Sequence, residues 1–148
     1  MELFERNIAE EWYQYGLKAG DDFFMRFMMH WIGFNWLYNQ IEGGDERTKI
    51  KEFYNQNRKK FDKIDPFGML DIDIFLEGAV FDVAKGCPHA RDYEKLKEYN
   101  VEALLMTLYQ VRCNLFHGSK SLRVERDREL VRASANILEK YMKVLVAD

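Results

Sequence analysis

The sequence predicts an all-α protein, an antiparallel bundle of about five helices built as a single domain from residues 1–148. Three observations predict it. Nine Gly and two Pro in 148 residues are too few punctuators for a fold of many short strands. Apolar residues at 47% and charged residues at 32% describe a globular chain with a core rather than a disordered or fibrous one. Several long segments carry apolar residues at helical spacing between cap and stop signals, and antiparallel packing is the natural way to bury their apolar sides.

Taken in order, a first helix covers residues 3–18 and stops near Gly20. A second begins after an Asp21 cap and ends at the Gly43-Gly44 pair. A third, polar and basic, covers residues 46–63 and ends before Pro66. In residues 67–83, Leu70, Ile72, Ile74 and Leu76 alternate like a strand, whereas Phe75, Leu76, Ala79, Val80 and Val83 repeat at helical spacing; the segment is read as a short helix. Cys87-Pro88-His89 reads as a loop. Asn100 caps a helix that runs to Phe116 or His117 and is closed by Gly118. A last helix over residues 124–146 carries Leu130, Val131, Ile137, Leu138, Tyr141, Met142 and Leu145 on one side.

Composition narrows the function classes. The formal charge of −3 argues against a surface devoted as a whole to nucleic acid or anionic lipid, while leaving room for a local basic patch. The opening MELFERNIAEEW has no apolar run behind a basic start, so no signal peptide is expected. The greasiest stretch, residues 23–41, is interrupted by Arg26 and His30 and falls short of the roughly 20 apolar residues that a bilayer demands. No membrane partner is expected. Two cysteines make no disulfide framework, and a reducing cytoplasm is the expected compartment.

Two polar anomalies stand out on apolar helices. Helical geometry places Arg112 beside Leu105, Leu108 and Phe116, in the middle of an apolar stripe. A guanidinium there must be paired, reach out to water, or line a site; His117 and Lys120 at the same helix end favour the last, and a structural ion pair is the plain alternative. On the second helix, Asp22, Arg26, His30 and Gln40 form the side expected to face water. Asn35 and Asn39 lie opposite, among Phe24, Met28, Ile32 and Trp36, where Asn35 is expected to give structural polar support by hydrogen bonding between helices.

Two blocks of sequence resemble the HEPN superfamily of all-helical domains. One is Arg112-Cys113-Asn114-Leu115-Phe116-His117, an R-x4-H string followed by Gly118-Ser119-Lys120. The other is Trp31-Ile32-Gly33-Phe34-Asn35-Trp36-Leu37-Tyr38, similar to the W-x2-F-N-x-L-Y helix of bacterial and archaeal branches. The resemblance implies a dimeric bundle in which the R-x4-H helix ends of both subunits share one cleft. Many members are metal-independent endoribonucleases that need no cofactor, often toxins of toxin–antitoxin pairs, which makes RNA the expected substrate, a second copy the expected partner, and an antitoxin protein a candidate one. Other members are non-catalytic nucleotide-binding or interaction modules. The position after the Arg is commonly polar in active members and is Cys113 here, with Asn114 one place later.

The chemistry suits those residues. RNA is cleaved without metal when its 2′-hydroxyl attacks the adjacent phosphate, which calls for a proton acceptor, a proton donor and positive charge on the phosphorane. Histidine, with an ordinary pKa near 6.5, serves the proton transfers. Arg112 and His117 are therefore the expected catalytic pair, with Lys120, Asn114 and Arg123 as substrate contacts. A two-fold dimer would furnish acid and base from identical residues. Residues 112–132 carry six basic against three acidic side chains, and residues 45–63 seven against four, so either could form a basic groove or a solvated, salt-paired helix face.

One further alternative stays open: Cys87, His89, Cys113 and His117 could in principle ligate zinc, although their spacing fits no compact zinc motif and no metal is expected. His30 and His89 are read as a wet-face and a loop residue. No phosphate-binding glycine loop, nucleophile elbow or H-E-x2-H string is present in the sequence.

Overall fold

The computed structural model describes residues 3–82, 87–88, 90–116 and 124–147. The described chain is helical almost throughout. Five helices have eleven residues or more: α1 (Leu3–Lys18), α2 (Phe23–Tyr38), α3 (Glu46–Gln56), α7 (Val101–Phe116) and α8 (Glu125–Val146). Three short ones complete the set, α4 (Arg58–Phe61), α5 (Asp73–Leu76) and α6 (Ala90–Leu96). The alternating stretch after Pro66 resolves into two 3-10 turns, Pro66–Gly68 and Leu70–Ile72, then α5 and a two-residue strand β1 (Phe81–Asp82). β1 pairs antiparallel with β2 (Cys87–Pro88), so this segment is neither one helix nor one strand. No helix among the described residues is long and apolar enough to cross a membrane.

Local chemistry explains the boundaries. Asp22 caps α2 by accepting from the Met25 N–H, one residue later than the Asp21 cap the sequence suggests. Asp45 caps α3 through Thr48, and the Asn100 side chain caps α7 through Ala103. The basic third helix breaks at Asn57, whose amide folds back on the Phe53 carbonyl, giving α3 and α4.

The contacts divide the chain into two compact units, Met1–Asp65 with Ala135–Asp148, and Pro66–Ser134. In the first, α1 and α2 form an antiparallel pair, with Phe4 against Trp36 at one end and Gly16 against His30 at the other. The pair packs closely because Gly33 has no side chain; a Cβ there would stand 3.2 Å from Trp12 and 3.3 Å from the Ala9 carbonyl of α1, and 2.9 Å from Met142 of α8. The core is an aromatic ladder: edge-to-face contacts join Trp31–Phe34 at 5.3 Å, Phe34–Phe53 at 5.9 Å and Phe53–Phe61 at 6.1 Å, and a tilted contact joins Phe61–Tyr141 at 5.1 Å. Trp31, Phe34, Leu37 and Tyr38 of the W-x2-F-N-x-L-Y string are all buried, so the string builds the core.

α2 turns the opposite way from the sequence expectation. The side with Arg26 and His30 faces inward, His30 being 0% exposed, and Ile32 on the other side is exposed. Both sides of α2 are rich in large apolar residues, so periodicity cannot choose between them; the polar partners waiting on α8 do. In the second unit, α6 packs on α7, Tyr93 donates to the Leu76 carbonyl at 2.8 Å, and Ile72, Phe75, Val80 and Leu96 are buried.

Candidate functional site

α7 positions Arg112. Its buried residues are Ala103, Leu104, Leu105, Met106, Thr107, Leu108, Gln110, Val111 and Asn114, an arc centred near Thr107 and Val111. Arg112 is half-buried and stands at the edge of that arc, not in its middle. The stripe shifts because polar side chains on this helix are satisfied internally. Thr107 donates to the Ala103 carbonyl at 2.8 Å, Gln110 to the Asn114 Oδ1 at 2.8 Å, and Asn114 to the Phe81 carbonyl at 2.7 Å.

The Arg112 guanidinium lies 4.2 Å from the centroid of the Phe116 ring, and Phe116 is 58% exposed. Stacking of this kind engages the face of the guanidinium and does not consume its in-plane N–H donors. Its Nη1 also lies 3.9 Å from the Cys113 Sγ, and that thiol is free and half-buried. Asn114, expected as a substrate contact, is only 2% exposed, and its amide is bonded at both ends within the protein. It ties α7 to β1. His117, Lys120 and Arg123 lie outside the described residues, as do His89 and the Cys87 side chain. Among the described residues no group of three or more His, Cys, Asp or Glu side chains could hold a metal ion.

Asn35 is drawn into a polar knot. Its Nδ2 donates to the Tyr38 hydroxyl at 2.6 Å and to the Glu46 Oε1 at 3.1 Å, and the Tyr38 hydroxyl donates to the same oxygen at 2.7 Å. The knot joins the end of α2 to the start of α3, where a carboxylate also complements the helix dipole.

Several basic side chains among the described residues are engaged. Arg126 donates to the Ile74 and Gly78 carbonyls and lies 3.8 Å from Glu77; Arg132 pairs with Glu129 at 3.1 Å. Lys60 holds the Leu145 and Ala147 carbonyls at the end of α8, and Arg58 sits over Tyr54. A cleft of about 520 Å³ in the second unit is lined by Asp71, Asp73, Glu77, Glu125 and Glu129 against Arg126 and Arg132. That balance repels a polyanion.

Sequence reasoning missed a second polar cluster, in the first unit. The buried His30 lies 3.0 Å from the Glu139 Oε1, and the Arg26 Nη1 donates to the Asn136 Oδ1 at 2.7 Å and stands 3.8 Å from that carboxylate. The Tyr13 ring lies 5.5 Å from the imidazole. Burial pushes the His30 pKa below its ordinary value, against the opposing pull of Glu139. The available signal was the i,i+4 pair Arg26 and His30 on one helix with the i,i+3 pair Asn136 and Glu139 on another.

No family model, curated protein or solved structure matches the chain.

Proposed function

We propose that the protein is a metal-independent endoribonuclease of the HEPN type, acting as a homodimer, with a toxin's role and an antitoxin partner as the biological setting. The 2′-hydroxyl of RNA attacks the neighbouring phosphorus, the bond to the 5′-oxygen breaks, and a 2′,3′-cyclic phosphate remains. His117 accepts the hydroxyl proton, and its counterpart on the second copy protonates the leaving oxygen. Arg112 neutralises the phosphorane, and Lys120 and Arg123 hold flanking phosphates. The observation that carries this reading is the Arg112 guanidinium stacked on an exposed Phe116 at the last turn of α7, one residue before His117. An exposed aromatic beside a planar cation also offers a base a surface to stack on.

A non-catalytic HEPN-like nucleotide-binding or interaction module is the second reading. It is favoured by Cys113 standing where active HEPN members commonly carry a polar residue, and by the internal bonding of Asn114.

Purified protein incubated with RNA in a chelating buffer separates the two. Fragments ending in 2′,3′-cyclic phosphate, absent with Arg112→Ala and His117→Ala, support the enzyme. Equal degradation by wild type and His117→Ala, or none by either, removes it.

A further inference from the structure

We propose that the cleft of the second unit is a docking site for a short, basic, amphipathic segment of a partner protein. With a volume of about 520 Å³ it is large enough to take a few side chains of a ligand. The second 3-10 turn and α5 form one wall, and the first turns of α8 form the other.

Charge selects the occupant. Five carboxylates and two guanidiniums line the cleft, a net of three negative charges, which equals the formal charge of the whole chain. The acidic excess of the protein is therefore gathered in one place. Both arginines are already committed, Arg126 to the Ile74 and Gly78 carbonyls and Arg132 to Glu129. Asp73 with Glu77, and Glu125 with Glu129, are like-charged pairs four positions apart, a spacing at which carboxylates repel. Cations on an incoming segment relieve both repulsions. Among the described residues the carboxylates do not converge to hold a metal ion, so their complement is a set of cations spaced along a chain.

Two exposed side chains on the same wall make that chain a protein segment rather than a free polyamine. Leu70 lines the cleft and is 88% exposed. Tyr99 is 66% exposed, its ring 5.2 Å from that of Phe67 in the 3-10 turn preceding Leu70. Its backbone is left-handed, with φ at 62°, where the Asn100 N–H returns to the Lys95 carbonyl and closes α6. Glycine fits that position without strain, so a tyrosine there costs stability. Apolar and aromatic groups beside a charged rim are the make-up of a protein contact, and the face of a tyrosine also receives a cation.

The inference stands apart from the RNA chemistry and shares no residue with it. The probe is a fluorescein-labelled peptide of repeating Lys-Leu-Arg triplets, followed by anisotropy. Binding is expected to weaken as salt rises, since screening shortens from about 10 Å at 0.1 M to about 3 Å at 1 M. Asp73→Lys with Glu125→Lys should weaken it at least about tenfold. Glu10→Lys with Glu11→Lys, the same change of charge in the first unit, should leave it within about twofold. Leu70→Ser should weaken it about threefold or more, and Tyr99→Gly should do so while keeping or raising the thermal midpoint. No binding by wild type, equal binding of a peptide with glutamate at every basic position, or an equal loss from the first-unit variant overturns the proposal. So does spermidine that binds as tightly as the peptide, with Leu70→Ser and Tyr99→Gly both without effect, a result that marks a polyamine site instead.

Discussion

The His30 Nε2 and the Glu139 Oε1 lie 3.0 Å apart, the imidazole wholly buried and the carboxylate 30% exposed. The two side chains are joined across 109 positions of sequence. Burial is the largest influence on the imidazole and lowers its pKa; Glu139 works against it and Arg26 with it. Near neutral pH the ring is therefore uncharged and bonds the carboxylate through Nε2–H.

A pH dependence follows from that sign. The unfolded chain takes up the His30 proton near pH 6.5, while the folded protein takes it up only at lower pH. Between those two values the unfolded state binds more protons, so stability falls as pH drops, by at most about 1.4 kcal/mol per pH unit. Above pH 7 the contribution is fully present and flat. Urea midpoints measured from pH 8 down to pH 5 should show this decline, and His30→Gln should flatten it. An unchanged slope in the variant assigns the decline to other groups.

Gly16→Ala tests the same contact from the other side. Gly16 is in a helix, where alanine normally gains about 1 kcal/mol. Here a Cβ would fall on the His30 ring, which Glu139 holds in place. The substitution should therefore destabilise, by about 1–3 kcal/mol. In a His30→Ala background the overlap is gone, and the same change should become neutral or stabilising. A double-mutant cycle by chemical denaturation reads that reversal of sign.

The parts that were legible in the sequence share a physical trait: their determinants are local. Asn100 caps α7 through a residue three places away, and the first helix is bounded by its own glycine. The sequence does not orient α2, because its two sides differ little in apolarity and Glu139 and Asn136, which hold Arg26 and His30 inward, are remote in sequence. α6 carries no periodic signal in the sequence, because only Leu96 of its seven residues is buried. At the α7 end, Arg112 was conspicuous by type, but its distance from the centre of the buried arc depended on Asn114 finding the Phe81 carbonyl.

Arg112→Lys should separate charge from geometry at the helix end. Lysine keeps the positive charge but loses the planar fork and most of the stacking on Phe116. On the proposed ribonuclease reading, with a bidentate hold on phosphate, RNA cleavage should fall about 100-fold or more, close to the loss in Arg112→Ala. Thermal stability should change little, since a partly exposed cation–π contact contributes about 0.5–1 kcal/mol. Cleavage near the wild-type rate with lysine would reduce the arginine to a point charge.

The Tyr141 hydroxyl is buried and has no hydrogen-bond partner among the described residues. Its ring packs 5.1 Å from that of Phe61, and burial drives the phenol pKa far upward, so it is never ionised in the folded protein. A buried hydroxyl with no partner costs about 1–3 kcal/mol relative to water, and removing it removes that cost. Tyr141→Phe keeps the ring and its contacts and should therefore be neutral or raise stability by about 1 kcal/mol, the reverse of the usual effect of a core substitution. Tyr141→Leu, which also loses the ring, should destabilise by several kcal/mol. Denaturant midpoints for the pair decide it: a clear loss in Tyr141→Phe would mean that the hydroxyl is bonded in solution, to an ordered water held in the core.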